Sequence, residues 1–271
     1  MERDHLINKL NSGANIYGTC VTSTAPSWQM ATAGAGVDFV FIDTEHIPLD
    51  RSDLSKLCQT YVALGVTPIV RITKPDPFLA CQVIDGGAIG VVAPYLEEPK
   101  QFRDLVGAVK FRPLKGHKLN RILHGQEELT PVMYSYLKKY NRGNLFIANI
   151  ESVPAVDRLD ELFATEGLDG VFIGPHDLSV SMGLPEEYDH PDFEAAVKTI
   201  IHKARAHGLH IGIHFSLEPE RQVKWAKEGA NIIVHSFDIA LFRQRLIHDL
   251  TLIKSSLNES AGDKPSEEMV I

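Results

Sequence analysis

Cysteine is scarce in this sequence, which has three in 271 residues, at Cys20, Cys58 and Cys81. They are too few and too widely spaced for a disulfide framework or a zinc ribbon, so we expect a reducing, cytoplasmic environment. The first residues lack the apolar segment of a signal peptide. No apolar run approaches the ~20 residues that span a bilayer, so we expect no membrane partner.

Positive charge is also in short supply. Lysine and arginine number 27 against 35 aspartates and glutamates, and the formal net charge is −8. Proteins that bind nucleic acids meet the phosphate backbone with clustered basic residues, and this sequence has no basic stripe. We therefore expect no nucleic-acid partner.

Eight short runs rich in Val, Ile and Phe recur along the chain, with helix-like segments between them. The runs cover residues 15–21, 37–43, 67–72, 89–94, 145–151, 170–174, 210–215 and 231–235. They are nearly continuous in apolar residues rather than alternating, which is typical of parallel strands covered by helices. A glycine precedes most of them, where a left-handed residue ends the preceding helix. The pattern predicts an α/β fold, a single-domain (β/α)8 TIM barrel.

Two regions interrupt this rhythm. Residues 111–142 are too long for a simple connection, and we expect a loop followed by a helix at 127–140. Residues 255–271 are polar and charged, so we expect a disordered tail after a barrel domain at 1–254. The helix before the tail is expected to take part in oligomer packing.

Barrels of this kind place their active site at the C-terminal ends of the strands, so the polar residues there are the candidates. Those residues are Asp43, Glu45 and His46 after the second strand, Arg71 on the third, Asn149 and Glu151 on the fifth, Gly174, Pro175, His176 and Asp177 after the sixth, His214 on the seventh and His235 on the eighth. Any one of them also has a structural interpretation; Arg71, for example, is a natural ion-pair partner for Glu45. Several acids and bases at one mouth favour a functional site.

Glu151 and Asp177 follow neighbouring strands, so their carboxylates are expected to reach one point. Two carboxylates with open positions suit Mg²⁺ or Mn²⁺. A metal there chelates a 2-oxo acid and stabilises its enolate as a Lewis acid. Arg71 adds fixed positive charge at the same oxygen. His46 is the candidate for proton transfer, with Asp43 fixing its tautomer.

Four segments carry a resemblance to a known family. They are DFVFIDTEH (38–46), PIVRI (68–72), VIDGGAIGVVAP (83–94) and, most specifically, IESVPAVDRLDELFATEGLDGVFIGPHDLSVSMG (150–183). With them the chain resembles the HpcH/HpaI family of class II pyruvate aldolases over residues 13–250. The resemblance implies a homohexamer, a trimer of dimers. It also implies aldol cleavage or condensation of a 2-oxo acid (pyruvate or oxaloacetate) with an aldehyde or other acceptor, dependent on Mg²⁺, Mn²⁺ or Co²⁺.

The same resemblance assigns roles to individual residues. Glu151 and Asp177 correspond to the metal ligands, Arg71 to the enolate-stabilising arginine, and His46 with Asp43 to the catalytic dyad. Asp85 matches an aspartate placed beside that dyad at a subunit interface. Gly174, Pro175 and His176 match the segment that cradles the pyruvate carboxylate.

The chain departs from the family at positions near the second substrate. Asn149 replaces a common glutamine, His176 replaces a small residue, and His214 and His235 replace small or apolar ones. The glycine-rich, arginine-containing loop is here FRPLKGHKLN (111–120), with Lys118 in place of the arginine. We therefore expect His176 and His214 to contact an unusual acceptor.

Several alternatives remain open at this point. The same enolate serves citrate-synthase-like condensation, oxaloacetate decarboxylation and CoA-ester cleavage. A Schiff-base aldolase is disfavoured because no predicted strand contains lysine. A sugar-phosphate enzyme is disfavoured because the loops after strands seven and eight, from 216 and 236, lack glycine-rich turns. A non-catalytic binding protein predicts the loss of Glu151, Asp177, Arg71 or His46, and all four are present.

Overall fold

The computed structural model describes residues 2–215 and 219–258 of the chain. Within them, eight parallel strands close into a barrel in sequence order, with β8 paired to β1. The strands are β1 Ile16–Val21, β2 Phe39–Asp43, β3 Thr67–Arg71, β4 Gly90–Ala93, β5 Leu145–Ile150, β6 Gly170–Ile173, β7 His210–Phe215 and β8 Ile232–Phe237. The predicted (β/α)8 barrel is confirmed.

Helices follow the strands on the outside of the barrel. They are α1 Glu2–Asn11, α2 Pro26–Gly34, α3 Arg51–Ala63, α4 Pro77–Asp85, α5 Pro99–Lys110, α6 Gly116–Leu123, α7 Pro131–Tyr140, α8 Val153–Val156, α9 Leu159–Phe163, α10 Pro175–Ser181, α11 Pro191–Ala206, α12 Pro219–Lys227 and α13 Asp238–Ser256. Many begin with proline, whose fixed φ and missing N–H suit the first helical position. None of the helices in the described ranges has the length and apolarity needed to span a bilayer.

The apolar residues form two layers, one on each side of the sheet. Phe41, Ile69, Ile147 and Phe172 belong to the cluster inside the barrel, where the rings of Phe41 and Phe172 stack with centroids 5.6 Å apart. A larger cluster fills the space between the strands and the surrounding helices. Because each strand is buried on both faces, its sequence reads as a continuous apolar run.

A glycine in the left-handed conformation lies before each strand, where the preceding segment ends, as the sequence predicts. Their positive φ angles occur at Gly13, Gly36, Gly65, Gly87, Gly143, Gly167, Gly208 and Gly229. At Gly87, where φ is 118°, an added Cβ would also lie 3.3 Å from the Cβ of Cys58. A side chain there is therefore disfavoured by both backbone strain and packing.

The connection at 111–142 differs from the prediction. It contains two helices, α6 and α7, where a loop and one helix were expected. Helix α7 begins later than residue 127, because the Thr130 side chain accepts a hydrogen bond from the Met133 amide at 3.3 Å and caps it. Helix α6 forms because Leu119 and Leu123 pack against Gly107 of α5, where an added Cβ would lie 2.7 Å from Leu123 Cδ1.

Helix α13 has a long exposed face. It runs to Ser256, two residues beyond the predicted domain boundary at 254, and residues 259–271 of the predicted tail lie outside the described residues. Its exposed apolar residues recur at three- and four-residue spacing, at Ile239, Phe242, Leu246, Leu250, Ile253 and Leu257. This set is called the α13 stripe below.

Candidate active site

Arg71 and Asp43 form a buried ion pair at the C-terminal ends of two adjacent strands. The two residues are register partners on β3 and β2, so their side chains emerge together. Arg71 donates from Nε to Asp43 Oδ1 at 2.9 Å and from Nη2 to Oδ2 at 2.5 Å. Its guanidinium also lies over the ring of Phe41, 5.7 Å from the centroid. This two-point contact fixes the plane of the arginine.

Both members of the pair are ionised. Burial opposes the charge on Asp43, but the hydrogen bonds and charge of Arg71 outweigh it and lower the pKa of the aspartate. Burial likewise opposes the charge on Arg71, and the carboxylates of Asp43, Glu45 and Glu151 outweigh it and raise the pKa of the arginine. The mouth therefore contains a permanent, oriented cation.

Glu151 is held at the end of β5 from both of its carboxylate oxygens. Oε1 accepts a hydrogen bond from the Tyr95 backbone amide at 2.7 Å, and Oε2 accepts one from the Asn149 side-chain amide. Gly174 stands directly beside this group, and a Cβ added there would lie 2.5 Å from Glu151 Oε2. Only glycine leaves room for the carboxylate at this position.

Negative charge accumulates around Glu151. Asp177, in the first turn of α10, and Glu45 both act on it electrostatically. Burial is the largest cause of the raised pKa of Glu151, about 7, and the two acids add to it against the Tyr95 amide and Arg71. The pKa of Glu45 is also raised, by burial first and by Asp43 and Asp177 in addition, against Arg71 and His46.

This donor set fits a divalent cation. Glu151 and Asp177 are predicted ligands. Burial first, and repulsion from Asp177 in addition, raise the pKa of Glu151, and a cation beside the two carboxylates would offset both effects. Within residues 2–215 and 219–258, no group of three or more His, Cys, Asp or Glu side chains is arranged to hold a metal. Two carboxylates leave room for water and substrate oxygens, which is typical of Mg²⁺.

His46 is at the mouth but does not have the expected partner. The sequence predicts that Asp43 orients it, yet both oxygens of Asp43 are bound by Arg71, and Oδ1 also accepts from the Glu45 amide at 2.9 Å. The ring Nε2 of His46 instead lies 3.9 Å from Glu45 Oε2. Asp43 does not form the expected hydrogen bond with His46, because the register of β2 and β3 places Asp43 beside Arg71.

Asp85 does not join the mouth of its own barrel. It is the last residue of α4, which begins after the C-terminal end of β3 and therefore ends at the opposite end of the barrel. Its carboxylate is exposed and accepts a hydrogen bond from Arg112. A single subunit consequently leaves the predicted contribution of Asp85 to catalysis unsupported by any contact at the mouth.

The three unusual histidines occupy different places. His214 faces the barrel interior, with its ring 6.1 Å from that of Phe41 and Nε2 3.2 Å from the Ser236 carbonyl oxygen. Burial is the main cause that lowers its pKa to about 4, so the ring is neutral. His176 is exposed, with Nδ1 3.5 Å from Glu186 Oε1. His235 lies on the outer face of β8 beside α12, contrary to its expected place at the mouth.

One member of the site escaped the sequence analysis, and another received no catalytic role there. Glu45 was named as a strand-end candidate and as a partner of Arg71 only. Tyr95 contributes its backbone amide, which a search for functional side chains does not find. Its position directly after Pro94 and β4, with φ of 53°, turns that amide toward Glu151.

Fold and mouth together define a (β/α)8-barrel enzyme with an anionic strand-end site built around one fixed arginine. The family model described as HpcH/HpaI aldolase/citrate lyase matches residues 17–244, and the chain belongs to this family. It is an enzyme of the carbon–carbon lyase class, an aldolase. Members of the family are generally dependent on a divalent metal.

Relatives cover nearly the whole chain. The 2-keto-3-deoxy-L-rhamnonate aldolase of Salmonella gallinarum is 29% identical over 255 residues, which are 94% of this chain and 95% of that protein. The enzyme of the same name from Escherichia coli K12 is 29% identical over 250 residues, covering 92% and 93%. The crystal structure of citrate synthase SbnG is 28% identical with a TM-score of 0.80, covering 94% of this chain and 99% of that one. An HpcH/HpaI aldolase from Desulfitobacterium hafniense DCB-2, 24% identical with a TM-score of 0.80 over 96% and 99%, shares the fold.

The raised pKa of Glu151 predicts a pH-dependent stability in chelator-treated protein. Its folded-state pKa of about 7 exceeds the ordinary glutamate value of 4.5, so the folded state binds the proton more tightly. The resulting stabilisation is full below pH 4.5 and is lost as pH rises through 7, by on the order of 3 kcal/mol. Urea unfolding at pH 5.5 and 8 measures this loss.

Glu151→Gln should remove that part of the pH dependence and be more stable than the parent at pH 8. The control is Glu166→Gln, which alters an exposed carboxylate. Added Mg²⁺ should restore the stability of the parent at pH 8 and leave the stability of Glu151→Gln unchanged. A pH dependence that persists in Glu151→Gln contradicts the assignment.

Proposed function

We propose that this enzyme cleaves and forms a carbon–carbon bond beside the keto group of a 2-oxo acid, through a pyruvate enolate. The substrate is a 2-oxo-3-deoxy or 4-hydroxy-2-oxo acid, in keeping with relatives named for 2-keto-3-deoxy-L-rhamnonate. The observation that carries the proposal is the ionised, oriented Arg71 next to the repelling carboxylates of Glu45, Glu151 and Asp177. A cytoplasmic location, suggested by three free cysteines, is part of the proposal.

Glu151 and Asp177 would hold the cation, with Mg²⁺, Mn²⁺ and Co²⁺ as the candidates. When bound, this cation supplies Lewis-acid stabilisation of the developing enolate. Asn149 and the Tyr95 amide keep the Glu151 carboxylate in place from its two oxygens. Asn149 therefore orients Glu151, the proposed metal ligand. Its side chain is too short to reach the oxo acid as a glutamine would.

The segment from Gly174 to His176 binds the carboxylate of the oxo acid. Gly174 has no side chain, so the substrate approaches its backbone and Glu151 together. Pro175 lacks an N–H and fixes the first turn of α10, which leaves the His176 amide as the donor. The His176 side chain itself turns away toward Glu186.

Arg71 and His46 perform the remaining steps. Arg71 donates to the enolate oxygen, where its charge is in place before the reaction and needs no reorganisation. His46, half-exposed at the mouth, takes the proton of the C4 hydroxyl as the C3–C4 bond breaks. It then returns that proton to C3 of the enolate, which releases pyruvate. Asp43 acts in this scheme by fixing Arg71.

A second function on the same enolate is favoured by one comparison. Citrate synthase SbnG is about as similar to the chain as the aldolases are. The segment 111–120, which departs from the aldolase pattern, includes the first residues of α6, which begins at Gly116. The alternative is a condensation or decarboxylation of an oxaloacetate-derived enolate, or cleavage of a CoA ester. Assays of pyruvate with a panel of aldehydes against oxaloacetate with acetyl-CoA separate the two.

Proton exchange at C3 of pyruvate tests the enolate without knowledge of the acceptor. Chelation should abolish the exchange, and Mg²⁺, Mn²⁺ or Co²⁺ should restore it. Arg71→Ala should reduce exchange and aldol cleavage together by about 10²–10³, the usual effect of losing one oxyanion donor. Arg71→Lys should rescue only in part, because lysine lacks the planar fork that Asp43 binds.

The readout is deuterium incorporation from D₂O, followed by NMR. Arg103→Ala, on the outer helix α5, is the matched control and should exchange at the parental rate. Full exchange in metal-free protein, or near-normal exchange in Arg71→Ala, would exclude this mechanism.

The acceptor side is proposed to involve His214. Because its Nε2 faces the Ser236 carbonyl, the neutral ring carries its proton there, and Nδ1 is an acceptor suited to a substrate hydroxyl. His214→Ala should weaken use of a hydroxylated acceptor by about 1–3 kcal/mol in kcat/KM while leaving pyruvate exchange nearly intact. His202→Ala, an exposed histidine of α11, is the control. Equal loss of both activities would assign His214 to the fold.

The assembly is proposed to be a homohexamer, a trimer of dimers joined through α13. A groove of about 450 Å³ lies between α12 and strands β8 and β1, lined by Tyr17, Val223, Ala226, Ile233 and His235. In the described part of the chain, the buried Nδ1 of His235 has no hydrogen-bond partner. The α13 stripe has the apolar spacing of a packed helix face and is exposed in one subunit. In this proposal, helix α13 of a second copy packs into this groove.

The double variant Leu246→Glu, Leu250→Glu should dissociate this assembly, because it buries two charges in an apolar contact. Thr251→Glu, an exposed polar position on the same helix, is the control and should assemble normally. Size-exclusion chromatography with light scattering reports the mass. A monomeric parent, or an unaffected double variant, would contradict the role of α13.

A further inference from the structure

A cavity of about 640 Å³ lies at the end of the barrel opposite the active site. It is bounded by the segments that enter β5, β6 and β7 and by helices α1 and α7, and it is called the lower cavity below. Leu145, which lines it, begins β5, whereas Glu151 follows the end of that strand. At about 3.3 Å per residue, the two positions are roughly 20 Å apart. The lower cavity is therefore separate from the mouth, and its volume is in the range that holds small organic ligands.

The walls of the lower cavity are largely apolar. They include Leu10 of α1, Phe111, Leu129, Leu137 of α7 and Leu168. Leu10, Leu137 and Leu168 are buried, so a ligand between them loses most of its contact with water. Removing apolar surface from water is favourable, and polar surface gains nothing from such walls. A ligand that fills this space therefore has an apolar body.

One ion pair at the edge of the lower cavity is already complete. Lys110 Nζ lies 2.5 Å from Asp169 Oδ2 and donates to the Asn144 carbonyl oxygen at 2.6 Å. The same Asp169 oxygen accepts a hydrogen bond from the Phe146 amide at 2.6 Å. The charges of Lys110 and Asp169 therefore balance each other and select neither a cation nor an anion.

Lys138 adds a positive charge that no lining carboxylate balances. Of the described residues that line the lower cavity, Asp169 is the one acid, and it is paired with Lys110. Within residues 2–215 and 219–258, Lys138 has no carboxylate at ion-pair distance, and its Nζ lies 5.7 Å from the centre of the Tyr134 ring. In a chain with a formal net charge of −8, this local positive charge favours an anion.

His210 supplies a hydrogen-bond donor to the lower cavity. It is the first residue of β7 and faces the barrel interior, because Ile211 and Ile213 belong to the outer cluster. Asn231 Oδ1 accepts from the Ile211 amide at 3.1 Å, so Asn231 Nδ2 donates to His210 Nδ1 at 3.1 Å. Burial lowers the pKa of His210, with Arg205 adding to the effect, so the ring is neutral and its one proton is on Nε2. No described protein group accepts a hydrogen bond from Nε2, which leaves this donor to a ligand.

We propose that the lower cavity is a binding site for a small organic carboxylate with an apolar body. The apolar walls enclose the body, and the Nε2–H of His210 donates to an oxygen of the ligand. Lys138, at the exposed edge, favours the anion over a neutral molecule of the same shape. The site takes no part in the reaction at the mouth, so this proposal stands or falls independently of the proposed function.

4-Phenylbutyrate is a suitable probe, because a short apolar chain joins its phenyl ring to a carboxylate. Isothermal titration calorimetry on the full, chelator-treated protein should show saturable binding at one site per subunit. 4-Phenylbutyramide has the same shape without the charge and should bind about 2–5-fold more weakly, the range for one exposed charge. Pyruvate has the carboxylate without the apolar body and should not displace the probe.

Three substitutions test the walls of the lower cavity. Lys138→Gln should weaken binding of 4-phenylbutyrate by about 2–5-fold, whereas Lys139→Gln, the next residue of α7 and outside the lining, should leave it unchanged. His210→Phe keeps a ring of similar shape and removes the donor, so it should weaken binding by about 2–10-fold. Leu129→Trp, at a half-buried position before α7, should fill the space and abolish binding.

Arg71→Ala separates the lower cavity from the mouth. It removes the fixed cation of the active site and should leave the affinity for 4-phenylbutyrate unchanged. The proposal is overturned if the parent does not bind the probe at millimolar concentration, if Arg71→Ala abolishes binding, or if Leu129→Trp binds as tightly as the parent. If Arg71→Ala or His210→Phe does not fold, Leu129→Trp and the comparison of Lys138→Gln with Lys139→Gln still decide.

Discussion

The buried contact between Arg71 and Asp43 is the constraint on which the mouth of the barrel depends. Removing two charges from water costs several kcal/mol each, and only a two-point geometry with well-placed hydrogen bonds offsets that cost. The geometry exists because the last residues of β2 and β3 are register partners in a closed sheet. Breaking the pair from one side is expected to cost about 3–5 kcal/mol, so the position of the fixed cation depends on the register of β2 and β3.

The rest of the site follows from the charge that this cation leaves unbalanced. Four carboxylates, Asp43, Glu45, Glu151 and Asp177, share the mouth with one permanent cation. Arg71 binds both oxygens of Asp43, so the excess falls on the other three. It adds to burial, which is the main cause of the raised pKa values of Glu45 and Glu151. A divalent cation is the simplest way to balance it at neutral pH. The metal site of the proposed function would therefore depend on the charge of these strand ends as a group.

Much of the architecture could be predicted because it depends on local rules. Continuous apolar runs predicted the strands, and the glycines before them predicted where each strand begins. The order of the strands predicted which residues meet at the mouth. The hydrogen-bond partner of Asp43 could not be predicted, because His46 lies close to Asp43 in sequence and was the natural choice. Only the register of β2 and β3 shows that Asp43 pairs with Arg71. His235 was misplaced because it was taken as a strand end, whereas β8 continues to Phe237. Ile232 and Val234 face the barrel interior, so regular alternation turns His235 to the outer face.

The parts of the site differ in how strongly strand pairing constrains them. This difference bears on how such a barrel changes its reaction. In the proposed function, the residues that form the enolate come from β2, β3, β5 and the start of α10, where regular pairing and the Arg71–Asp43 ion pair leave little freedom. The acceptor side is proposed to involve His214 of β7, which is not part of that pair. His214 lies beside Phe41, whose ring also lies next to the Arg71 guanidinium, but its Nε2 faces the Ser236 carbonyl oxygen rather than the ion pair. In this proposal, substitutions on the acceptor side change which second substrate reacts with the enolate. They leave intact the residues that form the enolate.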